Sequence, residues 1–268
     1  MATLTGTLRR PGVELRYLDS EGDGPAVVFL HGAGADHLTF EAQAKAIVAG
    51  GGRAVLVDLR GQGQSRPNDS RLTADLLVDD VNELVAQLAL QQPVIVGHSL
   101  GGSLGQALVR KYPKRFGGLA VIGSTWNTGP LRPIERMLLR LAAPSLAAIP
   151  ERRMFAIMAD ASAFTPFAKA DALRAFSQLT KREFLAVWRA TVEFVAPDPD
   201  YRTPVPLLLI RGAEDRTGNI ASAMPAWAAA EGVVEHVIAD AGHLVTQDAP
   251  EAVNVILRAF VADLRTAG

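Results

Sequence analysis

The 268-residue sequence contains no cysteine, which excludes disulfide bonds, thiolate metal sites and a cysteine nucleophile together. It also has no block of like charge, since the net charge is −1 and charged residues are spread along the chain. Without a basic patch or a polybasic helix, neither nucleic acid nor an anionic membrane is an expected partner. No apolar run is long enough for a membrane span, and the N-terminus lacks the pattern of a signal peptide. We therefore expect a soluble, cytoplasmic protein.

The sequence does contain a regular alternation of strand and helix patterns. Hydrophobic residues make up 49% of the chain, enough for the core of one large α/β domain. Residues 13–18 alternate as an early antiparallel strand would. Short apolar runs that predict buried strands lie at 26–30, 53–58, 93–96, 119–122 and 205–210. Because helical patterns separate these runs, we predict a mostly parallel sheet covered on both faces.

The alternation stops between residues 126 and 200. This stretch has helical patterns interrupted by prolines, many large apolar side chains and no clear strand. It is far longer than an ordinary loop, so a helical insertion is the better interpretation. We predict a core domain of residues 1–125 and 201–268, and a helical cap, or lid, of residues 126–200.

A possible nucleophile lies where a predicted strand turns into a helix. The run GHSLGG occupies positions 97–102, directly after the apolar run at 93–96 and directly before a helical pattern at 103–112. This is the context that a G-x-S-x-G nucleophile elbow requires. Gly97 and Gly101 have no Cβ and so permit a sharp turn, which lifts the Ser99 hydroxyl above the sheet. The alternative is a glycine-rich turn that carries an ordinary surface serine.

A serine nucleophile needs a base, and the sequence offers five histidines. We expect His243 to be the base because it lies on a glycine-flanked loop beyond a strand end. His31 better fits a structural role in its loop, and His236 fits packing inside the predicted last strand, residues 233–238. His98 adjoins Ser99, but at a tight elbow the neighbouring side chain points away. His37 can line the pocket or can simply be solvated.

The base in turn needs a carboxylate that orients it. We expect Asp215 to take this role because it closes a turn after an apolar strand; a plain turn aspartate is the alternative. Its competitors are Glu214, Asp240 and Asp248. The carboxyl ends of parallel strands share one crevice, and the chain order Ser, Asp, His is the one expected for this elbow.

Two backbone N–H groups are expected to stabilise the oxyanion of a tetrahedral intermediate. One belongs to Leu100, the residue after the nucleophile. The other comes from the loop after the strand at 26–30, where we expect Ala33, with Gly34 as the second choice. A simple glycine-rich loop is the alternative.

Five motifs together resemble the α/β-hydrolase fold family, in the branch that carries a helical cap after the sixth strand. They are GHSLGG at 97–102, HG at 31–32, DLRGQGQS at 58–65, GAED at 212–215 and AGH at 241–243. The resemblance covers about residues 13–264. It implies an eight-stranded, mostly parallel sheet and Ser-His-Asp catalysis without cofactor or metal.

The nucleophile narrows what this resemblance implies. Dehalogenases and epoxide hydrolases of the fold use aspartate, and dienelactone-type enzymes use cysteine, whereas this chain has Ser99. We expect a carboxylic-ester hydrolase, with thioesters and lactones included. Alternatives are cofactor-free perhydrolysis and carbon–carbon bond hydrolysis; the latter family usually has a cap arginine, which Arg189 can supply, and a tryptophan where Leu244 stands. A non-catalytic receptor on the same scaffold is a further alternative.

The apolar cap suggests a small, apolar ester or lactone as substrate. The candidate lining residues are His37, Trp126, Phe155, Phe164 and Trp188, each of which also fits core packing. We expect a monomer or a homodimer.

Overall fold

The structure is a computed structural model that describes residues 3–131, 135, 137 and 145–266. Its centre is an eight-stranded sheet in the order β1-β2-β4-β3-β5-β6-β7-β8. The strands from β4 to β8 in this order run parallel, while β1 and β2 add two antiparallel pairings at one edge. The strands are β1 (Gly6–Arg10), β2 (Val13–Asp19), β3 (Ala26–Leu30), β4 (Arg53–Val57), β5 (Val94–His98), β6 (Gly118–Ile122), β7 (Leu207–Gly212) and β8 (Glu235–Ile238).

Helices cover both faces of this sheet. The described part of the chain contains α1 (Glu41–Ala49), α2 (Ala74–Gln87), α3 (Leu100–Lys111), α4 (Glu151–Ser162), α5 (Pro166–Phe176), α6 (Lys181–Glu193), α7 (Ile220–Glu231), α8 (Val245–Asp248) and α9 (Pro250–Thr266), with a short 3₁₀ helix at His37–Phe40. The predicted α/β architecture, a mostly parallel sheet between two helical layers, is confirmed.

The central strands are apolar throughout because each face of the sheet has its own core. In β3, Val28 and Leu30 pack with residues of α2, α3 and α7, whereas Val27 and Phe29 pack with residues of α1 and α9. Successive side chains of a strand point to opposite faces, so a strand buried on both faces needs apolar residues at every position.

The edge strand β1 was not predicted. It pairs with β2 as an antiparallel hairpin, with Arg10 opposite Val13. Only Leu8 of its five residues is buried. A short strand with one buried side chain gives almost no periodic signal, and its pairing comes from the better-patterned β2 beside it.

Helices α4, α5 and α6 lie between β6 and β7 in the chain, within the predicted cap. They share an apolar cluster that includes Met154, Phe176 and Phe184, and Leu244 of the core joins it. The division of the chain at residues 126 and 200 stays a prediction, and residues 132–134, 136 and 138–144 lie outside the described residues. No helix in the described part of the chain is long and apolar enough to cross a bilayer.

Gly101 gives the first testable prediction. A Cβ at this position would lie far inside the van der Waals contact distance from the Leu30 carbonyl oxygen at the end of β3. We expect Gly101→Ala to lower the free energy of unfolding by about 3 kcal/mol, or to prevent folding, because a backbone must move to make room. The control is Gly50→Ala, whose Cβ would meet neighbours only at ordinary contact distances of 3.4 Å and more. Urea unfolding curves compare the two, and equal stability of both variants would contradict the prediction.

Candidate active site

Ser99 lies at the turn between β5 and α3 in a conformation that side chains rarely adopt. Its φ is 53° and its ψ is −114°, which stores about 1–3 kcal/mol of strain. Neighbouring elements hold it there: the Ser99 N–H donates to Ile122 O at 3.0 Å, and the Ser124 hydroxyl donates to Ser99 O at 2.8 Å. The elbow predicted from GHSLGG is therefore present, with the serine at its apex.

Asp215 and His243 meet beyond the ends of β7 and β8. His243 Nδ1 lies 2.9 Å from Asp215 Oδ2, and both side chains are almost completely buried. Burial would raise the pKa of Asp215, but the neighbouring His243 and the Thr217 N–H, 2.8 Å from Oδ1, outweigh it and lower that pKa. Since an ionised carboxylate only accepts hydrogen bonds, Nδ1 carries the proton and Nε2 is left with a lone pair.

The three competing carboxylates do not reach the imidazole. Glu214 and Asp240 are exposed. Asp248 instead accepts hydrogen bonds from backbone N–H groups, among them that of Gly242 at 2.9 Å. Of the four carboxylates considered from the sequence, Asp215 is the one that the fold brings to His243.

The fold brings Ser99 to the same edge of the sheet as this pair. Gly123, which follows β6, lies beside the pair, because a Cβ there would be 3.3 Å from both Asp215 Oδ2 and His243 Nδ1. The preceding residue, Ile122, accepts the Ser99 N–H. No hydrogen bond joins the Ser99 hydroxyl to His243 among the described residues. Catalytic hydrogen bonds are often looser without substrate, so the three side chains keep their predicted roles as a proposal.

His98 has a role that the sequence analysis missed. Its Nε2–H donates to the backbone carbonyl of His243 at 2.9 Å, and the two rings lie 4.6 Å apart, centre to centre. Burial, and then the positive charge that His243 can carry, lower the pKa of His98 to about 3, so this ring stays neutral. The expectation that this side chain points away from the site is therefore corrected, because His98 packs against the predicted base.

The N–H groups of Leu100 and Ala33 remain the predicted oxyanion donors. Leu100 is the first residue of α3, so its N–H has no partner within the helix. The Gly34 N–H already donates to Gln62 Oε1 at 2.7 Å, whereas the Ala33 N–H has no partner in the described part of the chain. This difference favours Ala33 over Gly34 as the second donor. His31 supports the loop, since its Nε2 accepts the Leu59 N–H at 2.9 Å.

The five candidate lining residues occupy different surroundings. Phe155 is buried in the apolar cluster of the cap, and Trp188 stacks on Phe184 in the same cluster. Phe164 is half exposed. His37 is buried, with Nδ1 2.8 Å from Asp58 Oδ1, and Trp126 stacks on Trp227 of α7.

Two further phenylalanines contact the oxyanion loop, residues 31–36 after β3, which carries the candidate donor Ala33. A Cβ on Gly34 would lie 2.6 Å from the Phe184 ring and 2.8 Å from the Phe176 ring. Helices α5 and α6 therefore press aromatic side chains directly onto this loop. Gly34 is far from Phe176 and Phe184 in the chain, and no local sequence pattern indicates that they are in contact.

No group of three or more histidine, aspartate or glutamate side chains among the described residues is arranged to hold a metal ion. The expectation of chemistry without cofactor or metal stays a prediction.

Comparison with known proteins places the chain in a family. A sequence profile of the alpha/beta hydrolase family matches residues 27–255. The structure of a thermophilic esterase from Thermogutta terrifontis has a TM-score of 0.79 and 25% identity, over 97% of each chain. An sn-1-specific diacylglycerol lipase of Danio rerio is 35% identical over 41% of this chain and 35% of its own length. A non-heme chloroperoxidase of Kitasatospora aureofaciens is 40% identical over 35% of this chain and 34% of its own length.

This chain belongs to the alpha/beta hydrolase family, as its sheet order, its elbow and the family match together require. It spans about a third of the length of the curated relatives that it matches. The family match and the structural relatives therefore establish its fold class and its family.

The neutral state of His98 predicts a pH dependence of stability. In the folded chain its pKa is about 3, against the ordinary value of 6.5. Between these pH values the unfolded chain binds a proton at this histidine and the folded chain does not. The stability contributed by neutral His98 is therefore fully present above about pH 6.5. It is lost as the pH falls towards 3, at up to about 1.4 kcal/mol per pH unit. We expect His98→Asn to lose less stability than the wild type between pH 7 and pH 5.

The measurement is the unfolding midpoint at both pH values, with His236→Asn in the edge strand β8 as the control. Between the two pH values the unfolding midpoint of the His236 variant should change as much as that of the wild type. The midpoint of the His98 variant should change less. The change that remains includes the contribution of His31, whose pKa burial also lowers. Equal slopes for all three proteins would contradict the interpretation.

Proposed function

We propose that this chain is a serine hydrolase that cleaves carboxylic esters, including thioesters and lactones, through an acyl-enzyme on Ser99. The observation that carries the proposal is the 2.9 Å contact between His243 Nδ1 and the buried Asp215 carboxylate, beside a serine held at the apex of an elbow. A neutral imidazole oriented by an ionised carboxylate is the base that a serine hydroxyl needs.

The reaction has two halves that use the same groups. In the first, Ser99 Oγ attacks the acyl carbon while His243 Nε2 takes its proton, and the Ala33 and Leu100 N–H groups bind the oxyanion. The C–O bond to the alcohol then breaks, and the alcohol leaves with the proton from His243. In the second half, water attacks the acyl carbon and gives a proton to His243. The bond between the acyl carbon and Ser99 Oγ then breaks, and His243 returns the proton to Ser99 Oγ as the acid leaves.

Asp215 supports both halves by stabilising the imidazolium that forms in each. The phenyl rings of Phe176 and Phe184 supply apolar surface directly over the oxyanion loop. A site of this kind favours small acyl or alcohol groups that are apolar. We therefore propose short, apolar esters and lactones as the substrate class.

Perhydrolysis is the second candidate, and the similarity to a chloroperoxidase favours it. In that reaction hydrogen peroxide replaces water in the second half, so the acyl group leaves Ser99 as a peracid. Carbon–carbon bond hydrolysis is less well supported, because Arg189 is exposed on α6 and Leu244 follows His243.

Replacement of Ser99 tests the proposed nucleophile. We expect the wild type to hydrolyse a p-nitrophenyl ester of a short acid and to gain the mass of one phosphonyl group from a serine-directed phosphonate. Ser99→Ala should lose at least about 10³-fold in kcat, because no other group forms the acyl-enzyme. The control is Ser222→Ala, an exposed serine of α7 that should behave as the wild type does.

The readings are the initial rate and the intact mass of each protein. Labelling of Ser99→Ala at the wild-type rate would exclude Ser99 as the nucleophile. A folded wild type that is neither labelled nor active would instead support the receptor alternative.

A further inference from the structure

A single carboxylate outside the proposed triad collects five hydrogen bonds. Asp248 ends the short helix α8, five positions after His243 in the chain. Its Oδ1 accepts from Thr165 N at 2.7 Å, Thr165 Oγ1 at 2.9 Å and Phe164 N at 3.1 Å. Its Oδ2 accepts from Phe164 N at 2.9 Å and Gly242 N at 2.9 Å.

These donors come from two parts of the molecule that lie far apart in the chain, the start of α5 and the residues before His243. Thr165 is the N-cap of α5 in the cap, and its side chain also accepts the N–H of Ala168. Gly242 is the residue immediately before His243. A carboxylate at a helix N-terminus is favoured by the helix dipole, so the position suits Asp248 electrostatically. Asp248 therefore connects the start of α5 to the histidine loop, residues 239–244, which carries the proposed base.

The other neighbour of His243 is attached to the cap as well. The Leu244 N–H donates to Ser162 O, the last residue of α4, at 2.7 Å, and its side chain packs in the apolar cluster of the cap. His243 thus lies between two residues that are both held by the same turn, residues 162–165. A movement of that turn would therefore shift the backbone both before and after His243.

We propose that Asp248 is a positioning residue for His243: it holds the histidine loop against the N-terminus of α5, so that the cap sets the alignment of the imidazole between Asp215 and Ser99. This inference rests on the proposed function. Asp248 acts through the Gly242 backbone and takes no part in the proton transfers.

Replacement by asparagine separates the two attachments. The amide of Asp248→Asn keeps one acceptor oxygen, which can serve either the Thr165 donors or the Gly242 N–H, while its NH₂ group faces donors on the other side. Because a displacement of about 1 Å at a catalytic group costs roughly 10²-fold in rate, we expect kcat for a short p-nitrophenyl ester to fall by about 10- to 100-fold. KM should stay within about threefold, since no substrate contact is removed.

The matched control is Gln247→Ala. Gln247 is the preceding residue of α8 and its side chain also bonds to α5, through Nε2 to Asp171 Oδ2 at 2.7 Å. Among the described residues this side chain makes no hydrogen bond to the histidine loop. We expect this variant to keep kcat within about twofold of the wild type. A purely structural role of the contact between α5 and α8 would instead make the two variants alike in kcat and in unfolding midpoint.

The outcomes are distinguishable from a failure of the proposed function. An active wild type with equal kcat in Asp248→Asn and Gln247→Ala overturns this inference alone. A wild type that neither hydrolyses the ester nor takes the phosphonate overturns the proposed function, and the inference with it. If Asp248→Asn does not fold, Thr165→Val decides, because it removes one of the five hydrogen bonds: a fall in kcat of about threefold or more supports the proposal, and an unchanged kcat overturns it.

Discussion

The close approach of two backbones at the start of α3 is the constraint on which the site depends. Gly101 lies so near the Leu30 carbonyl that no side chain fits, and Gly97 is similarly close to Gly101. The chain can leave β5 and enter α3 only through a turn this tight, and Ser99 at its apex takes a φ of 53°. The same turn exposes the first N–H of α3 beside the serine. One steric restriction thus produces both a raised hydroxyl and a nearby hydrogen-bond donor.

The predicted base is held by backbone contacts from elements far apart in the chain. His98 of β5 donates to the carbonyl of His243, the cap accepts the N–H of Leu244, and Asp248 accepts the N–H of Gly242. None of these contacts uses the ring nitrogens of His243, which leaves its Nδ1 for Asp215 and its Nε2 for a proton. Backbone attachment therefore fixes where the ring lies without changing its chemistry.

Much of this arrangement can be predicted from local sequence, and the limits have physical causes. The buried strands are readable because both faces of the sheet are covered, and Ser99, Asp215 and His243 are readable because parallel strands bring their ends together. Strand β1 was missed because one buried side chain gives no period. The contacts of Asp248 with Thr165 and of the Phe184 ring with Gly34 depend on how the cap docks, and no local pattern encodes that docking.

Helix α5 connects both loops that the proposed chemistry needs. Its N-terminus is bound by Asp248 next to His243, and Arg174 near its other end, about 14 Å along the axis, donates two hydrogen bonds to Asp36 in the oxyanion loop at 2.7 and 3.0 Å. Burial would raise the pKa of Asp36, but the hydrogen bonds and charge of Arg174 outweigh it and hold that pKa at about 2. This ion pair therefore persists at every pH at which an imidazole is neutral. The cap therefore stays bound to the oxyanion loop through Arg174 in mild acid, because the Asp36 carboxylate remains ionised there.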